Sequence, residues 1–247
     1  MNVHMVLPAY NEARAIGPLL ERFRQLIEDH ALPINIIVVD DGSQDDTAAR
    51  VQAFQGIPLE LLQHPRNLGL AEATKTGLRA AAQRAQPHDV IALMDADDTH
   101  TPGLLIRMIS LLEEGNDVVV ASRYVRGARV IGVPAYRRLL SLGVAWLFRV
   151  IYPIRGVKDY TCGYRAYRAG LLQQALTHYG DSFISEPGFS CMVEILLKLD
   201  HMGAVMTEAP LILRYDRKQG TSKMNVRRTI KLTLRLLLRY RFPFLHV

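Results

Sequence analysis

The stretch VIALMDADDTH, residues 90–100, decides how the rest of the chain is interpreted. Five apolar residues lead directly into three carboxylates, Asp95, Asp97 and Asp98, followed by Thr99 and His100. A continuous apolar run of this kind is typical of a strand buried on both faces of a parallel sheet. Carboxylates so close together repel one another unless a cation or a hydrogen-bond network holds them. The stretch therefore predicts a buried strand that ends at a charged site.

Other apolar runs alternate with helical patterns on both sides of this stretch. The runs are residues 3–7, 34–39, 59–62 and 117–121, and the helical patterns cover 13–30, the region ending near 55, 69–85 and 102–114. Strands that alternate with helices predict an α/β fold, a mostly parallel Rossmann-like sheet flanked by helices. Polar clusters follow three of the strands: PAYNE, DDGSQDD and DADDTH. Because ligands bind beyond the carboxyl ends of such strands, the three clusters are expected to form one site.

The alternation stops after residue 122. A helix is predicted over 136–151, a buried helix over 188–199, and one or two short strands over 208–215. Two cysteines without metal-type spacing are expected to be free thiols in a reducing compartment. The amino-terminal segment becomes polar too early for a signal peptide, and no apolar run approaches the ~18 residues of a membrane span. The expected location is cytoplasmic.

The net charge of +6 comes from one end of the chain. From Arg217 onward there are nine Lys or Arg and no acid, which leaves 21 basic against 24 acidic residues elsewhere. Basic residues recur every four positions at Arg227, Lys231, Arg235 and Arg239, with leucines between them. This pattern predicts a basic amphipathic interface helix, residues 225–247, on the cytoplasmic face of a membrane, after a catalytic domain of residues 1–224. The alternative is a helix that docks on the core and exposes its basic face to solvent.

The acidic triplet suits a hard divalent cation. Mg²⁺ and Mn²⁺ take oxygen ligands, and Mg²⁺ in particular binds through one or two carboxylates together with substrate phosphates. The alternative is a solvated acidic loop that caps the next helix. Asp98 either faces the metal or caps that helix, and the cap is the favoured prediction. Next to Asp41, the Tyr10–Glu12 pair suits stacking and hydrogen bonding to a nucleoside. Ser43 and Asp45 are expected to cap the helix that follows them.

Several segments together resemble glycosyltransferase family 2 with a GT-A fold: VLPAYNEA, VVDDGSQDDT, NLGLAEATKTGL, MDADDTHTP and ASRYVRG. DYTCGYRAYRA and RKQGTSK are similar to segments of dolichol-phosphate mannosyltransferases and related polyprenyl-phosphate glycosyltransferases. The resemblance runs from about residue 3 to 224. It implies transfer of a sugar from a nucleotide-diphosphate sugar to a polyprenyl or dolichyl monophosphate with Mg²⁺ or Mn²⁺, GDP-mannose being the first donor expected.

The resemblance also implies roles for individual residues. The nucleotide sugar would meet Pro8, Tyr10, Glu12, Val39, Asp41, Asp95 and Ala96. Metal ligands would be Asp95 and Asp97, with Thr99 at a position where family members commonly carry Gln after Leu. Catalytic and phosphate contacts would come from Asp97, Arg123, Arg137, Arg217 and Lys223, and the acceptor phosphate would meet Arg137, Ser141 or Arg165.

A lipid monophosphate has a second pKa of ~6, so it is mostly dianionic at neutral pH and attacks without a general base. The expected reaction is therefore an in-line displacement with inversion at the sugar. The membrane surface is an expected partner, either directly or through a small membrane-anchoring subunit.

Three alternatives remain open at this point. The first is another donor, UDP-glucose or a UDP-N-acetylhexosamine, or a non-lipid glycan acceptor; a non-lipid acceptor predicts a catalytic carboxylate near it, with Asp159 or Glu186 as candidates. A scaffold that binds nucleotide sugars without turnover is the second. A nucleic-acid-binding role is disfavoured because the basic tail is rich in leucine and lacks interleaved aromatic residues.

Overall fold

The computed structural model describes residues 1–218 and 226–242. The strands are β1 (Val3–Ala9), β2 (Ile34–Asp40), β3 (Leu59–Gln63), β4 (Val90–Leu93), β5 (Val118–Ser122), β6 (Arg129–Ile131), β7 (Arg165–Arg168), β8 (Met206–Pro210) and β9 (Ile212–Arg214). The α-helices are α1 (Ala13–His30), α2 (Thr47–Ala53), α3 (Leu70–Arg84), α4 (Leu104–Glu113), α5 (Ala135–Ile151), α6 (Ala169–Tyr179), α7 (Ser190–His201) and α8 (Val226–Arg241). Short 3-10 helices cover Gly180–Phe183 and Tyr215–Arg217.

Seven strands form one sheet in the order β3-β2-β1-β4-β7-β5-β8. All neighbouring pairs are parallel except the two made by β7, which runs antiparallel between β4 and β5. Helices α1, α3, α4, α6 and α7 bury apolar faces, and β1 and β5 are buried along their whole length. The structure therefore confirms the predicted α/β class and the mostly parallel sheet.

The strands and helices predicted before residue 122 are present, as are α5 and α7, with ends that differ by at most two residues. Strand β7 and helix α6 were not predicted. Strand β7 has the sequence RAYR, which looks polar, although Arg165 is fully buried in the structure. Tertiary hydrogen bonds to its guanidinium explain why a polar sequence occupies the centre of a sheet.

A second, two-stranded parallel sheet pairs β6 with β9. It holds the chain that leads into α5 beside the segment that leads toward residue 218. Gly132 makes this approach possible: it has φ +83°, and a Cβ there would lie 2.6 Å from the backbone nitrogen of Asp216. The backbone N–H of Arg214 also donates to the carbonyl oxygen of Thr99 at 2.9 Å. The segment 212–218 is thus fixed against the acidic loop.

Helix α8 packs against α5 and α7 through Thr233, Leu236 and Leu237, which are buried. Its basic residues Lys231, Arg235, Arg239 and Arg241 are exposed. Much of the apolar face of α8 is therefore buried against the protein, which agrees with the alternative in which this helix docks on the core. The predicted domain boundary after residue 224 lies outside the described residues. In the described part of the chain, none of the helices has both the length and the apolarity needed to cross a bilayer.

Helix α5, in contrast, leaves an apolar stripe uncovered. Leu139, Leu142, Trp146 and Val150 are between 48% and 69% exposed. Their spacing places them on one side of the helix. On the opposite side, Ala145 and Phe148 are buried. We call Leu139, Leu142, Trp146 and Val150 the α5 stripe.

Candidate active site

The loops after β1 and β2 form one polar rim because their backbones bond to each other's side chains. The N–H of Asn11, which has φ +51°, donates to Ser43 Oγ at 2.8 Å, and the N–H of Gln44 donates to Asn11 Oδ1 at 2.8 Å. The N–H of Glu12 donates to Thr47 Oγ1 at 2.8 Å. Ser43 therefore links the two loops and is not the expected cap of α2.

Asp45 contributes to the same junction from the α2 side. Its carboxylate accepts the N–H of Thr47 at 3.0 Å and the N–H of Ala13 at 3.1 Å. Asp45 therefore bonds the first residues of α2 and α1, whereas the N-cap position of α2 is Asp46, which makes no side-chain cap bond.

The residues expected at the nucleotide divide into two groups. Tyr10 and Glu12 are half-buried at the rim. Pro8, Val39 and Ala96 are buried. Val39 has no exposed surface, and its side chain packs toward α3, where Gly77 leaves room for it. Tyr10 and Glu12 can thus meet a ligand directly, whereas the predicted direct contact of Val39 is wrong for this structure because its surface is used in the core.

Asp41 holds the loop that connects β3 to α3. Its carboxylate accepts the backbone N–H groups of Leu68 and Gly69 at 2.9 and 2.8 Å, and it lies 2.7 Å from His64 Nδ1. The Asp41 side chain is only 4% exposed. Its visible role is to order residues 64–69 beside the rim, and the direct contact with a base or ribose stays a prediction.

Asp97 is neutralised by a lysine from a distant part of the chain. Lys218 Nζ lies 2.5 Å from Asp97 Oδ2, while Asp97 Oδ1 accepts the hydroxyl of Thr99 at 2.6 Å and its N–H at 3.1 Å. Burial alone would raise the pKa of Asp97, but Lys218 and Thr99 outweigh it and hold that pKa below its usual value. Asp97 is therefore a carboxylate at neutral pH.

Asp95 lies two residues away in a different environment. Burial raises the pKa of Asp95, and the negative charge of Asp97 adds to the rise. The nearest basic side chain from its own loop is His100, whose Nδ1 lies 3.9 Å away. Gly163 brings the DYTCG loop against this carboxylate, since a Cβ there would lie 3.1 Å from Asp95 Oδ1. A further positive charge close to Asp95 would stabilise its ionised form.

The sequence predicted that Asp98 caps α4, but in the structure it does not. Its backbone has φ +58°, and its carboxylate accepts a hydrogen bond from Arg22 of α1 at 2.9 Å. The N-cap position of α4 is Gly103, and within the described residues no side chain caps it. The cap assignment was therefore wrong: the left-handed backbone turns Asp98 toward α1, where Arg22 pairs with it.

The donor set fits a divalent cation. Asp95 and Asp97 offer carboxylate oxygens within three residues, and the ammonium of Lys218 already stands where a cation would neutralise them. Thr99 is turned toward Asp97 as a hydrogen-bond donor, so it orients a ligand in this structure, and the predicted direct ligation by Thr99 is not provided. Among the described residues, no cluster of three or more His, Cys, Asp or Glu has metal-binding geometry. Two carboxylates with a diphosphate and water remain the set that suits Mg²⁺.

Arg123 is clamped by a fully buried carboxylate. Its Nε and Nη2 donate to the two oxygens of Asp159 at 2.7 Å each, and Nη2 also donates to Thr161 Oγ1 at 2.7 Å. Burial would raise the pKa of Asp159, but Arg123 outweighs it and lowers that pKa. The Arg123 side chain remains 22% exposed, so its outer face is open to a ligand.

Arg165 is the clearest error among the predicted phosphate contacts. It has no exposed surface, and its guanidinium donates to the carbonyl oxygens of Cys162, Met192 and Tyr160 at 2.8, 2.5 and 2.8 Å. An arginine that is buried and saturated in this way joins the DYTCG loop to α7 and cannot reach an acceptor phosphate.

Of the three remaining cations predicted to contact phosphates, Arg217, Arg137 and Lys223, the structure describes the side chain of Arg217 alone. Arg217 is partly buried, and its Nη1 has no hydrogen-bond partner among the described residues. Arg137 belongs to the first turn of α5, but its side chain is outside the described set. Lys223 lies outside the described residues. Ser141 of α5 lies 2.6 Å from the hydroxyl of Tyr124, the residue that follows Arg123, so α5 is tied to this side of the site.

Both carboxylates considered as general bases are already paired. Asp159 is bound to Arg123, as described above, and has no exposed surface. Glu186 accepts a hydrogen bond from Arg239 of α8 at 3.1 Å. Asp159 has no exposed surface for deprotonating an acceptor hydroxyl, and Glu186 is 16% exposed and paired through Oε1 with Arg239.

Sequence reasoning missed two cations of the site, Lys218 and Arg22. Lys218 lies inside RKQGTSK, of which only the first and last residues were predicted to contact phosphates. Its pairing with Asp97 in the structure identifies Lys218 as a further cation of the site. Arg22 lies on a surface-type helix pattern, where it could not be distinguished from the other basic residues of α1. Both residues are far in sequence from the acids with which they pair.

Comparisons with known proteins agree with this geometry. The family model described as Glycosyl transferase family 2 matches residues 5–176. The chain is 31% identical over 226 residues to a dolichol-phosphate mannosyltransferase from Pyrococcus furiosus. This alignment covers 91% of the chain but only 59% of the relative's length. The chain is 29% identical over 227 residues to an undecaprenyl-phosphate mannosyltransferase from Micrococcus luteus, covering 91% and 88%.

A solved structure supports the fold. Glucosyl-3-phosphoglycerate synthase from Mycobacterium tuberculosis, in complex with Mn²⁺, uridine-diphosphate and phosphoglyceric acid, superimposes with a TM-score of 0.70 at 20% identity, over 97% of this chain and 78% of that one. At this identity the likeness establishes the GT-A fold alone. Because the family model covers well over half of the residues, the chain belongs to glycosyl transferase family 2.

Proposed function

We propose that the protein transfers a sugar, with inversion, from a nucleotide-diphosphate sugar to a polyprenyl or dolichyl monophosphate, with Mg²⁺ or Mn²⁺ bound. The observation that carries the proposal is the pairing of charges at the site. The carboxylates that could serve as a base, Asp159 and Glu186, are occupied by arginines, whereas Arg123 and Arg217 keep surface or donors available for an anion. Such a site suits a phosphate acceptor, which needs cations and no base.

The names of the relatives support the same acceptor. Three of them, including polyprenol monophosphomannose synthase from Mycolicibacterium smegmatis, are named for transfer of mannose to a polyprenyl or dolichyl phosphate. GDP-mannose is therefore the first donor to test. UDP-glucose, a UDP-N-acetylhexosamine or a non-lipid acceptor is the alternative.

In the mechanism, Asp95 and Asp97 would hold the metal, which when bound neutralises the departing diphosphate. Thr99 fixes the orientation of Asp97 through its hydroxyl. The guanidinium of Arg217, with its unpartnered Nη1, would bind a phosphate oxygen in the planar fashion that arginine favours. Arg123, held rigid by Asp159, would present its open face to the second anionic group. The dianionic acceptor phosphate can then approach the anomeric carbon beside the donor diphosphate, whose two phosphates carry one negative charge each, without a proton transfer.

The acceptor tail would remain in the bilayer, and the α5 stripe is the surface that fits it. Trp146 and three aliphatic residues are exposed on one side of α5, while exposed basic residues lie on α8, which packs against α5. An apolar stripe with cations nearby suits an anionic membrane surface. Ser141, on the same helix, is hydrogen-bonded to Tyr124 beside Arg123. A lipid held at α5 would therefore reach the phosphate-binding side of the site.

The test is a transfer assay with Mg²⁺ or Mn²⁺, a panel of labelled nucleotide sugars and a short polyprenyl monophosphate. We expect label to enter the organic phase with one donor, and to be lost in Asp97→Ala. The product should carry the inverted anomeric configuration in its NMR spectrum. Asp181→Ala, which removes an exposed carboxylate paired with Arg79, is the matched control and should retain activity. Transfer to a soluble glycan acceptor alone, or retention of configuration, would refute the proposal.

A further inference from the structure

Lys218 occupies the position from which a cation would neutralise Asp97. Its Nζ lies 2.5 Å from Asp97 Oδ2, and the two side chains are only 18% and 14% exposed. The other oxygen of Asp97 is taken by the Thr99 hydroxyl. Direct metal binding through Oδ2 therefore requires this ion pair to open.

The ammonium is delivered by a segment that is fixed at several points. Strand β9 pairs with β6, and the N–H of Arg214 donates to the carbonyl oxygen of Thr99. The N–H of Lys218 donates to the carbonyl oxygen of Tyr215 at 3.2 Å, and its Nζ lies 5.7 Å from the centre of the Tyr215 ring. Opening of the pair can therefore be achieved by rotation of a long side chain, while β9 keeps its place beside the acidic loop.

The charge balance makes the ammonium and a divalent cation competitors. One ammonium bound to Asp97 cannot neutralise both Asp95 and Asp97, and the basic group closest to Asp95 on its own loop, His100, lies 3.9 Å from it. A divalent cation would compensate both carboxylates, but it would repel an ammonium held at hydrogen-bond distance from the same oxygen. Metal binding and the Lys218–Asp97 pair therefore oppose each other.

We propose that Lys218 is an internal cation that competes with the divalent metal for Asp97 and moves away from that carboxylate when the metal binds. The inference rests on the proposed metal role of Asp95 and Asp97. The displaced ammonium finds a new anion when a diphosphate accompanies the metal. The pair thus weakens binding of metal alone and favours binding of metal together with a diphosphate-bearing donor.

The test measures Mn²⁺ binding to the full chain without nucleotide, by electron paramagnetic resonance of free Mn²⁺. Lys218→Met should bind Mn²⁺ about tenfold more tightly than the unmodified protein, since a partly buried competing charge is removed. Arg214→Met is the matched control: it removes a cation from the same segment that pairs with Asp216, and its affinity should stay close to that of the unmodified protein. Asp97→Asn should lose Mn²⁺ binding.

A second readout follows the segment itself. Addition of Mn²⁺ should leave backbone hydrogen–deuterium exchange of the peptide that covers residues 212–218 unchanged in the unmodified protein and in Lys218→Met, because only the Lys218 side chain moves while β9 stays paired with β6; increased exchange in the unmodified protein would contradict a side-chain rotation. Equal or weaker Mn²⁺ binding by Lys218→Met, with normal binding by the unmodified protein, would overturn the inference while the metal role stands. Absence of Mn²⁺ binding in every variant would instead overturn the metal role in the proposed function, and the inference with it.

Discussion

The buried Asp159–Arg123 pair allows a quantitative prediction about stability. The carboxylate of Asp159 has no exposed surface. It accepts hydrogen bonds from Nε, Nη2 and the backbone N–H of Arg123, and from the backbone N–H of Cys162. Removing one partner of a buried pair typically costs about 3–5 kcal/mol, because the other charge is left uncompensated. Arg123 is 22% exposed and is therefore partly hydrated after the change. We expect Asp159→Asn to lower the free energy of unfolding by about 3 kcal/mol at pH 7.

The effect should depend on pH in a defined direction. Arg123 lowers the pKa of Asp159 in the folded protein, and in the unfolded chain that pKa returns to about 3.9. A lowered folded pKa means that the carboxylate stabilises the fold above the unfolded pKa and loses that contribution as the pH falls toward the folded one. The difference in unfolding free energy between the unmodified protein and Asp159→Asn should therefore be constant near neutrality and shrink below about pH 4.

Urea unfolding followed by circular dichroism at a series of pH values measures both quantities. The matched control is Asp181→Asn, which removes a carboxylate that also bonds an arginine, Arg79, but is 88% exposed, so its unfolding curve should stay nearly unchanged. In the double variant Asp159→Asn with Arg123→Met, part of the lost stability should return. A loss below about 1 kcal/mol in Asp159→Asn, or a difference that persists unchanged at low pH, would refute the reasoning.

Three further predictions follow from single contacts. Arg165→Met should lower the unfolding free energy by about 3 kcal/mol in urea, because three carbonyl oxygens lose a charged donor; an unchanged midpoint would contradict the structural role. Gly42→Ala should cost at least about 2 kcal/mol in the same assay, since its φ is +67° and a Cβ would lie 2.3 Å from the carbonyl carbon of Arg66. Trp146→Ser should weaken co-sedimentation with anionic vesicles about tenfold while unfolding stays the same, because this side chain is 61% exposed; Leu238→Ser, on α8, tests whether the effect is confined to the α5 stripe.

The first half of the fold could be predicted because its local patterns agree with its tertiary structure. Each apolar run there is a strand, buried along β1, β4 and β5 and only partly buried along the edge strand β3, and each polar cluster follows a strand end. Strand β7 broke that rule: its sequence RAYR contains a buried arginine whose partners are the carbonyl oxygens of Tyr160 and Cys162, in the loop before it, and of Met192 in α7. Hydropathy reports whether a side chain prefers water, and it cannot report that three carbonyl oxygens satisfy a guanidinium.

The same limit divides the site. The positions of Asp95 and Asp97 follow from the strand before them, so the acidic rim could be predicted. The cations could not be assigned from residue type, since arginine serves three roles here: Arg165 braces the core, Arg123 is clamped beside the rim, and Arg217 has a donor, Nη1, that finds no partner in the part of the chain that the structure describes. Only the contacts of each guanidinium distinguish these roles.

The described site contains three acid–base pairs between distant segments, and their difference in exposure suggests different duties. Asp159–Arg123 has one partner with no exposed surface, so it is built to stay closed. Asp98–Arg22 joins the acidic loop to α1 with an arginine that is 34% exposed. Asp97–Lys218 is the pair whose acid the proposed metal would also use, and its base is a flexible lysine, whereas the other two pairs use arginine. A lysine forms a point-charge contact that can be exchanged, whereas a bidentate arginine fixes geometry. The residue types therefore match a site in which two pairs hold the frame and the third one opens when the donor arrives.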